Sequence, residues 1–187
     1  MELSVLFDRM VALATRLGAY RAAVIPVSAV VTDASFRAMC ASNVCGNYGR
    51  SWMCPPDVGE IGELMAALRT YTYVLVYQTV SELEDSYDFE GMMEAGAAHN
   101  RLMATLREGL KAESLPRVLH LGAGGCRMCE VCAKRTGEPC RQPHLAVASL
   151  ETYGVNVSEL ARAAGMRYVN GQDTVTYFGA VLFDTEA

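Results

Sequence analysis

The chain has 187 residues, 51% of them hydrophobic and 20% charged, with a formal net charge of −5. That length suits one domain with a sizeable core, and that balance speaks against disorder, a basic nucleic-acid surface or a polyanionic partner. Glu2, Asp8, Arg9 and Arg16 interrupt the apolar N-terminal stretch and no apolar run is long enough to span a bilayer, so the expectation is a cytoplasmic protein without signal peptide or membrane contact.

Leu3, Leu6, Phe7, Met10, Val11, Leu13, Ala14 and Leu17 recur at helical spacing, which predicts an amphipathic helix over residues 3–17 stopped by Gly18. Residues 22–31 are rich in Val, Ile and Ala and contain Pro26, the pattern of a strand on an edge or with a bulge. Asp33 can cap a short helix to about Met39. After a turn-rich loop to Pro56, a helix over 59–68 presents Ile61, Leu64, Met65 and Leu68 on one face, and Tyr73 to Val80 reads as a strand. Residues 89–110 suit a long helix, with Met92, Met93 and Met103 as core filler.

Arg117 to Leu121 can form a short strand leading into a glycine-rich turn. Beyond it, residues 145–153 read as helix and Ser158 as the cap of a further helix ending near Gly165. Asn170-Gly171, between Arg167-Tyr-Val and the β-rich run from Thr174 to Phe183, signals a hairpin. The expected architecture is a single α/β or α+β domain, a mixed sheet of about four or five strands with flanking helices and cysteine-rich metal-binding loops.

Seven cysteines are present, an odd number in a reducing compartment, which favours ligands over disulfides. Cys126, Cys129 and Cys132 recur every third residue after Gly122, Gly124 and Gly125, and Cys140 follows before Arg141-Gln-Pro143. One tight loop can aim three such sulfurs at a common point, with the fourth supplied from a second turn. Structural zinc sites usually pair two separated Cys-x2-Cys knuckles, whereas unbroken every-third spacing suits the corners of a [4Fe–4S] cubane; zinc is the alternative. The glycines either let backbone N–H groups approach the sulfurs or simply form a tight turn.

Cys40, Cys45 and Cys54 form a looser group ending in Pro55-Pro56. They can hold a second cluster with an open fourth position, bind zinc with Asp57 or a distant histidine, or remain buried thiols. Their spacing differs from the Cys-x3-Cys-x2-Cys of radical adenosylmethionine chemistry. Trp52 and Tyr48 are placed to cover the site. His99, His120 and His144 read as surface or packed residues, with His144 next to the second group. No nucleophile elbow, phosphate loop, dinucleotide fingerprint or zinc-protease motif occurs.

Four stretches in order, Cys45-Gly-Asn-Tyr-Gly-Arg-Ser-Trp-Met-Cys54-Pro-Pro, Gly125-Cys-Arg-Met-Cys-Glu-Val-Cys132, Cys140-Arg-Gln-Pro and Ser149-Leu-Glu-Thr-Tyr-Gly-Val-Asn-Val157, resemble the predicted metal-binding proteins grouped as domain of unknown function twenty-two eighty-four. The resemblance implies metal or iron–sulfur binding through the cysteines in an anaerobic or methanogenic setting, and it supplies no reaction. The expected function is therefore electron transfer or support of a redox partner protein by a [4Fe–4S] cluster on Cys126, Cys129, Cys132 and Cys140. Two alternatives stand beside it: a zinc-stabilised interaction module, and an enzyme with an open metal position held by Cys40, Cys45 and Cys54.

Overall fold

A computed structural model describes residues 3–186. Five strands form one open sheet: β1 (Arg21–Pro26), β2 (Tyr73–Glu82), β3 (Val118–Gly122), β4 (Ala148–Ser149) and β5 (Thr174–Phe183), in the spatial order β1-β2-β5-β3-β4. β1 pairs antiparallel with β2, β2 with β5 and β5 with β3, while β3 and β4 run parallel. Pro26 lies on the edge strand, where its missing N–H removes no ladder bond, and the strand ends there in a short 3-10 turn rather than continuing to Val31.

The two central strands are apolar on both faces because both faces are covered. Val74 and Val76 of β2, with Phe178, Ala180 and Leu182 of β5, face a layer containing α3 (Ile61–Arg69) and α5 (Val157–Ala163). Leu75 and Tyr77, with Val181 and Phe183, face α1 (Leu3–Arg16) and α4 (Phe89–Leu110). The period-two alternation sorts the side chains into two cores. Met103 of α4 is buried as expected, whereas Met93 is exposed and fills nothing.

α4 forms over the expected residues because Asp88 caps it, its Oδ1 accepting from the Gly91 N–H at 2.8 Å. On the sheet beneath, Gly179 of β5 lies opposite Tyr77 of β2. A Cβ at Gly179 would stand 2.2 Å from the Tyr77 ring, which is fully buried and stacked on His99. Gly179→Ala is therefore expected to cost about 3 kcal/mol as a lowered urea midpoint, from overpacking a rigid core. Adding Tyr77→Leu should recover part of that loss. Additive effects of the two substitutions would show that the ring is not the obstacle.

Four further sequence expectations are corrected. Residues 145–153 are not a helix: Ala148 and Ser149 pair with Leu121 and Gly122 as β4, and only Glu151–Tyr153 coil, as a 3-10 turn. Asn170-Gly171 is not a hairpin turn, because β5 takes β2 and β3 as neighbours and residues 167–169 are not strand; the Asn170 amide instead donates to Arg167 O and Thr176 Oγ1. Asn156, not Ser158, caps α5, accepting from the Glu159 N–H at 3.2 Å. Asp33 likewise is not the cap residue of α2 (Phe36–Ala41); its carboxylate accepts from the Ser35 N–H just outside the helix.

Parallel neighbours cannot be joined by a hairpin, so β3 and β4 need a crossover. Here that crossover is the second cysteine loop itself, leaving the carboxyl end of β3 and returning at Ala148. The first cysteine loop joins α2 to α3.

Candidate metal centre

The first loop is held by its own backbone. Gly49 N–H donates to Pro55 O at 2.8 Å, Cys54 N–H to Ser51 O at 3.1 Å, and Tyr48 N–H to Asn43 Oδ1 at 3.0 Å. Cys40 sits in the last turn of α2, Cys45 is exposed on the loop and Cys54 is buried. In the second loop Cys132 precedes a 3-10 turn (Ala133–Thr136), and the Arg141 guanidinium bonds Val131 O and the Glu138 carboxylate. Cys126, Cys129, Cys132 and Cys140 are all half-buried.

The two loops interlock. Trp52 Nε1–H of the first donates to Glu138 O of the second at 2.9 Å. Lys134 of the second loop lies 4.3 Å over the Trp52 ring and forms an ion pair with Asp57 of the first. Asp57 is thus engaged by a cation. Asn47 packs closely on Gly125, where an added Cβ would come 3.0 Å from its side-chain amide.

Cys126, Cys129, Cys132 and Cys140 share the wall of a small hollow of about 20 Å³ with Ser51, Trp52 and Met53. The first three also line a larger hollow of about 310 Å³ on the side of Asn47, Arg50, Arg127 and Arg135. Among the described residues no group of three or more His, Cys, Asp or Glu side chains is placed so that it could hold a metal ion. What the structure brings together is a set of soft donors around common hollows, the chemistry that Fe–S clusters and zinc both require.

The thiols differ electrostatically. Burial raises the Cys132 thiol, but N–H groups of Lys134 and Trp52, the Ser51 hydroxyl and Arg135 outweigh it, and the net shift is downward. Those donors suit a thiolate in place of a thiol. Burial pushes Cys54 and Cys40 up, against Ser51 in one case and Arg37 in the other. Cys54 also lies within electrostatic reach of Cys45, Cys40 and Cys126, so the two cysteine groups are neighbours.

Among the described residues no histidine lines a hollow that a cysteine lines. His99 is buried between Thr79, whose Oγ1 is 2.9 Å from its Nδ1, and the rings of Tyr77 and Tyr177. His144 shares with His120 and Arg107 a hollow that no cysteine lines, although Ala146 borders both it and the four-cysteine hollow. Trp52 and Tyr48 do line cysteine hollows, one each. The residue that sequence reasoning missed is Ser51, hinted at only by its position three residues before Cys54; Asp57, expected as a zinc partner of the first group, is instead paired with Lys134 of the second loop.

No helix among the described residues is long and apolar enough to cross a membrane. No curated protein and no solved structure matches the chain. A family model matches residues 23–183, a span that takes in both cysteine loops, and the chain belongs to the family described as Predicted metal-binding protein (DUF2284).

Proposed function

We propose that the protein carries a [4Fe–4S] cluster on Cys126, Cys129, Cys132 and Cys140 and serves electron transfer or the support of a redox partner. The observation that carries this reading is the shared wall: four thiols from one crossover loop line one hollow, roofed by Trp52 of the other loop. When bound, such a cluster supplies one-electron chemistry. The chain's own part is to hold and tune it. Backbone N–H groups of Lys134 and Trp52 donate to the Cys132 sulfur, the kind of contact that raises a cluster's potential.

The outer hollow adds a reason to expect a protein partner. Arg50, Arg127 and Arg135 line it against Glu130 alone, a basic collar on a chain of net charge −5. A collar of that sign steers an acidic electron carrier towards the sulfurs.

A single zinc ion is the second reading, favoured by the 20 Å³ of the four-cysteine hollow, space for about one water-sized sphere. The test is anaerobic purification followed by iron, acid-labile sulfide and zinc analysis. Iron and sulfide in equal amounts, about four of each per chain, are expected. Colourless protein with stoichiometric zinc and no sulfide would eliminate the cluster. In the same preparation, reduction by an acidic carrier protein should slow as ionic strength rises, and an unchanged rate would remove the collar's role.

A further inference from the structure

The hollow that His120 and His144 share has a volume of about 470 Å³, within the range of small-ligand sites. Its wall comes from the last turn of α4, the link to β3, β3 itself and the stretch before β4. Leu110, Leu115, Val118 and Leu119 make part of that wall apolar. Arg107 and Lys111 are on it too, and among the described residues no carboxylate lines it.

The two cations are not equivalent. Lys111 Nζ donates to both carboxylate oxygens of Glu108, at 2.8 and 2.7 Å, so its charge is already answered on the surface. Arg107 is half-buried, and none of the ion pairs among the described residues includes it. Its Nη1 donates to Leu145 O at 2.9 Å, and most of its donors are left over. Burial holds the guanidinium below its usual pKa, the mark of a cation partly stripped of water. On the same wall His120 keeps its Nδ1 buried without a hydrogen-bond partner among the described residues. Desolvated cations of this kind are costly unless an anion reaches them.

We propose that this hollow binds a small organic monocarboxylate with an aliphatic body, its carboxylate on the Arg107 guanidinium and its chain against Leu110, Leu115, Val118 and Leu119. The planar guanidinium matches a carboxylate in bidentate fashion. Glu108 neutralises Lys111, and α4 ends here in carbonyl oxygens that disfavour an anion, so attraction rests on a single charge. One charge suits a monoanion better than a phosphate dianion. The site uses no cysteine and stands or falls independently of the cluster.

The probe is hexanoate, titrated calorimetrically into the full chain as isolated. It should bind saturably, with its neutral analogue hexanamide and inorganic phosphate each at least about tenfold weaker. Of the three histidine imidazole signals in the NMR spectrum, those of His120 and His144 should move on saturation, and that of His99, which does not line the hollow, should stay. Arg107→Met should weaken hexanoate at least about tenfold, and Arg107→Lys, which keeps the charge without the fork, by less. Lys111→Gln should cost less than about threefold, since that charge is spent on Glu108. No saturable binding, hexanamide or phosphate matching hexanoate, or a shift at His99 in place of the other two would each overturn the proposal, and these comparisons need only wild-type protein. So would unchanged affinity in Arg107→Met, or a greater loss from Lys111→Gln than from Arg107→Met.

Discussion

Cys132→Ser should empty the second-loop centre, taking metal content at that site from stoichiometric to background while far-UV circular dichroism stays unchanged. The thiol is the one of its group around which donors are gathered: two backbone N–H groups, the Ser51 hydroxyl and the Arg135 charge all favour its ionised form. Serine at that position offers a hard, protonated oxygen where a soft anion is required. Ser51→Ala is the graded companion. It removes one donor from outside the ligand set and should weaken metal binding about 10- to 100-fold, measured by competition with a chelator. Cys132→Ser protein that keeps its full metal complement would remove Cys132 from the ligand set, and with it the four-thiol centre.

The second large effect is on stability in mild acid. Burial lowers His99 to about 4, with the nearby Phe178 carbonyl opposing, and His99 Nε2 has no hydrogen-bond partner among the described residues. Burial, then the Arg107 charge, lowers His120 to about 4 as well. An unfolded histidine titrates near about 6.5. Between these values the unfolded chain binds protons that the folded chain refuses, so stability rises with pH across the window. The full contribution is present above about 6.5, and it is lost as pH falls towards 4. Each histidine accounts for on the order of 3 kcal/mol by the pKa difference. Urea midpoints at pH 7, 5.5 and 4.5 should fall steadily, beginning well above the carboxylate range. His99→Leu should flatten the slope by about half. Midpoints that hold constant from pH 7 to 4.5 would mean that water reaches both rings.

Periodicity made the two-sided sandwich legible. α1 buries Leu6, Met10 and Ala14 and α3 buries Leu64 and Leu68, positions their spacing marks, because each packs on one face of the central sheet; α4 and β2 are legible instead as long apolar stretches. The failures share a cause. Leu145 to Tyr153 carries helical composition, but the free edge of β3 takes Ala148 and Ser149 as a partner, and sequence near residue 145 holds no trace of residue 121. Asn170-Gly171 fails likewise, because β5 finds both its neighbours far away in the chain. At the site, cysteine spacing identified which four thiols share a hollow, since that grouping is local. The Lys134–Asp57 pair, the Trp52 bond to Glu138 O and the packing of Asn47 on Gly125 join residues far apart in sequence, and no spacing rule reaches them.

The place of β5 has a consequence for how the protein is made. This strand runs through the middle of the sheet between β2 and β3, yet it follows every other element in the chain. Until it leaves the ribosome, β2 and β3 each present an unpaired edge, and neither layer of helices has a complete floor to pack on. All seven thiols emerge before that floor exists. The sulfurs therefore wait, accessible to oxidants and stray ions, for the last strand to lock the scaffold that aims them. Metal delivery to this chain belongs after β5 has emerged and paired, and the interval before that is when the nascent protein depends most on a reducing surrounding.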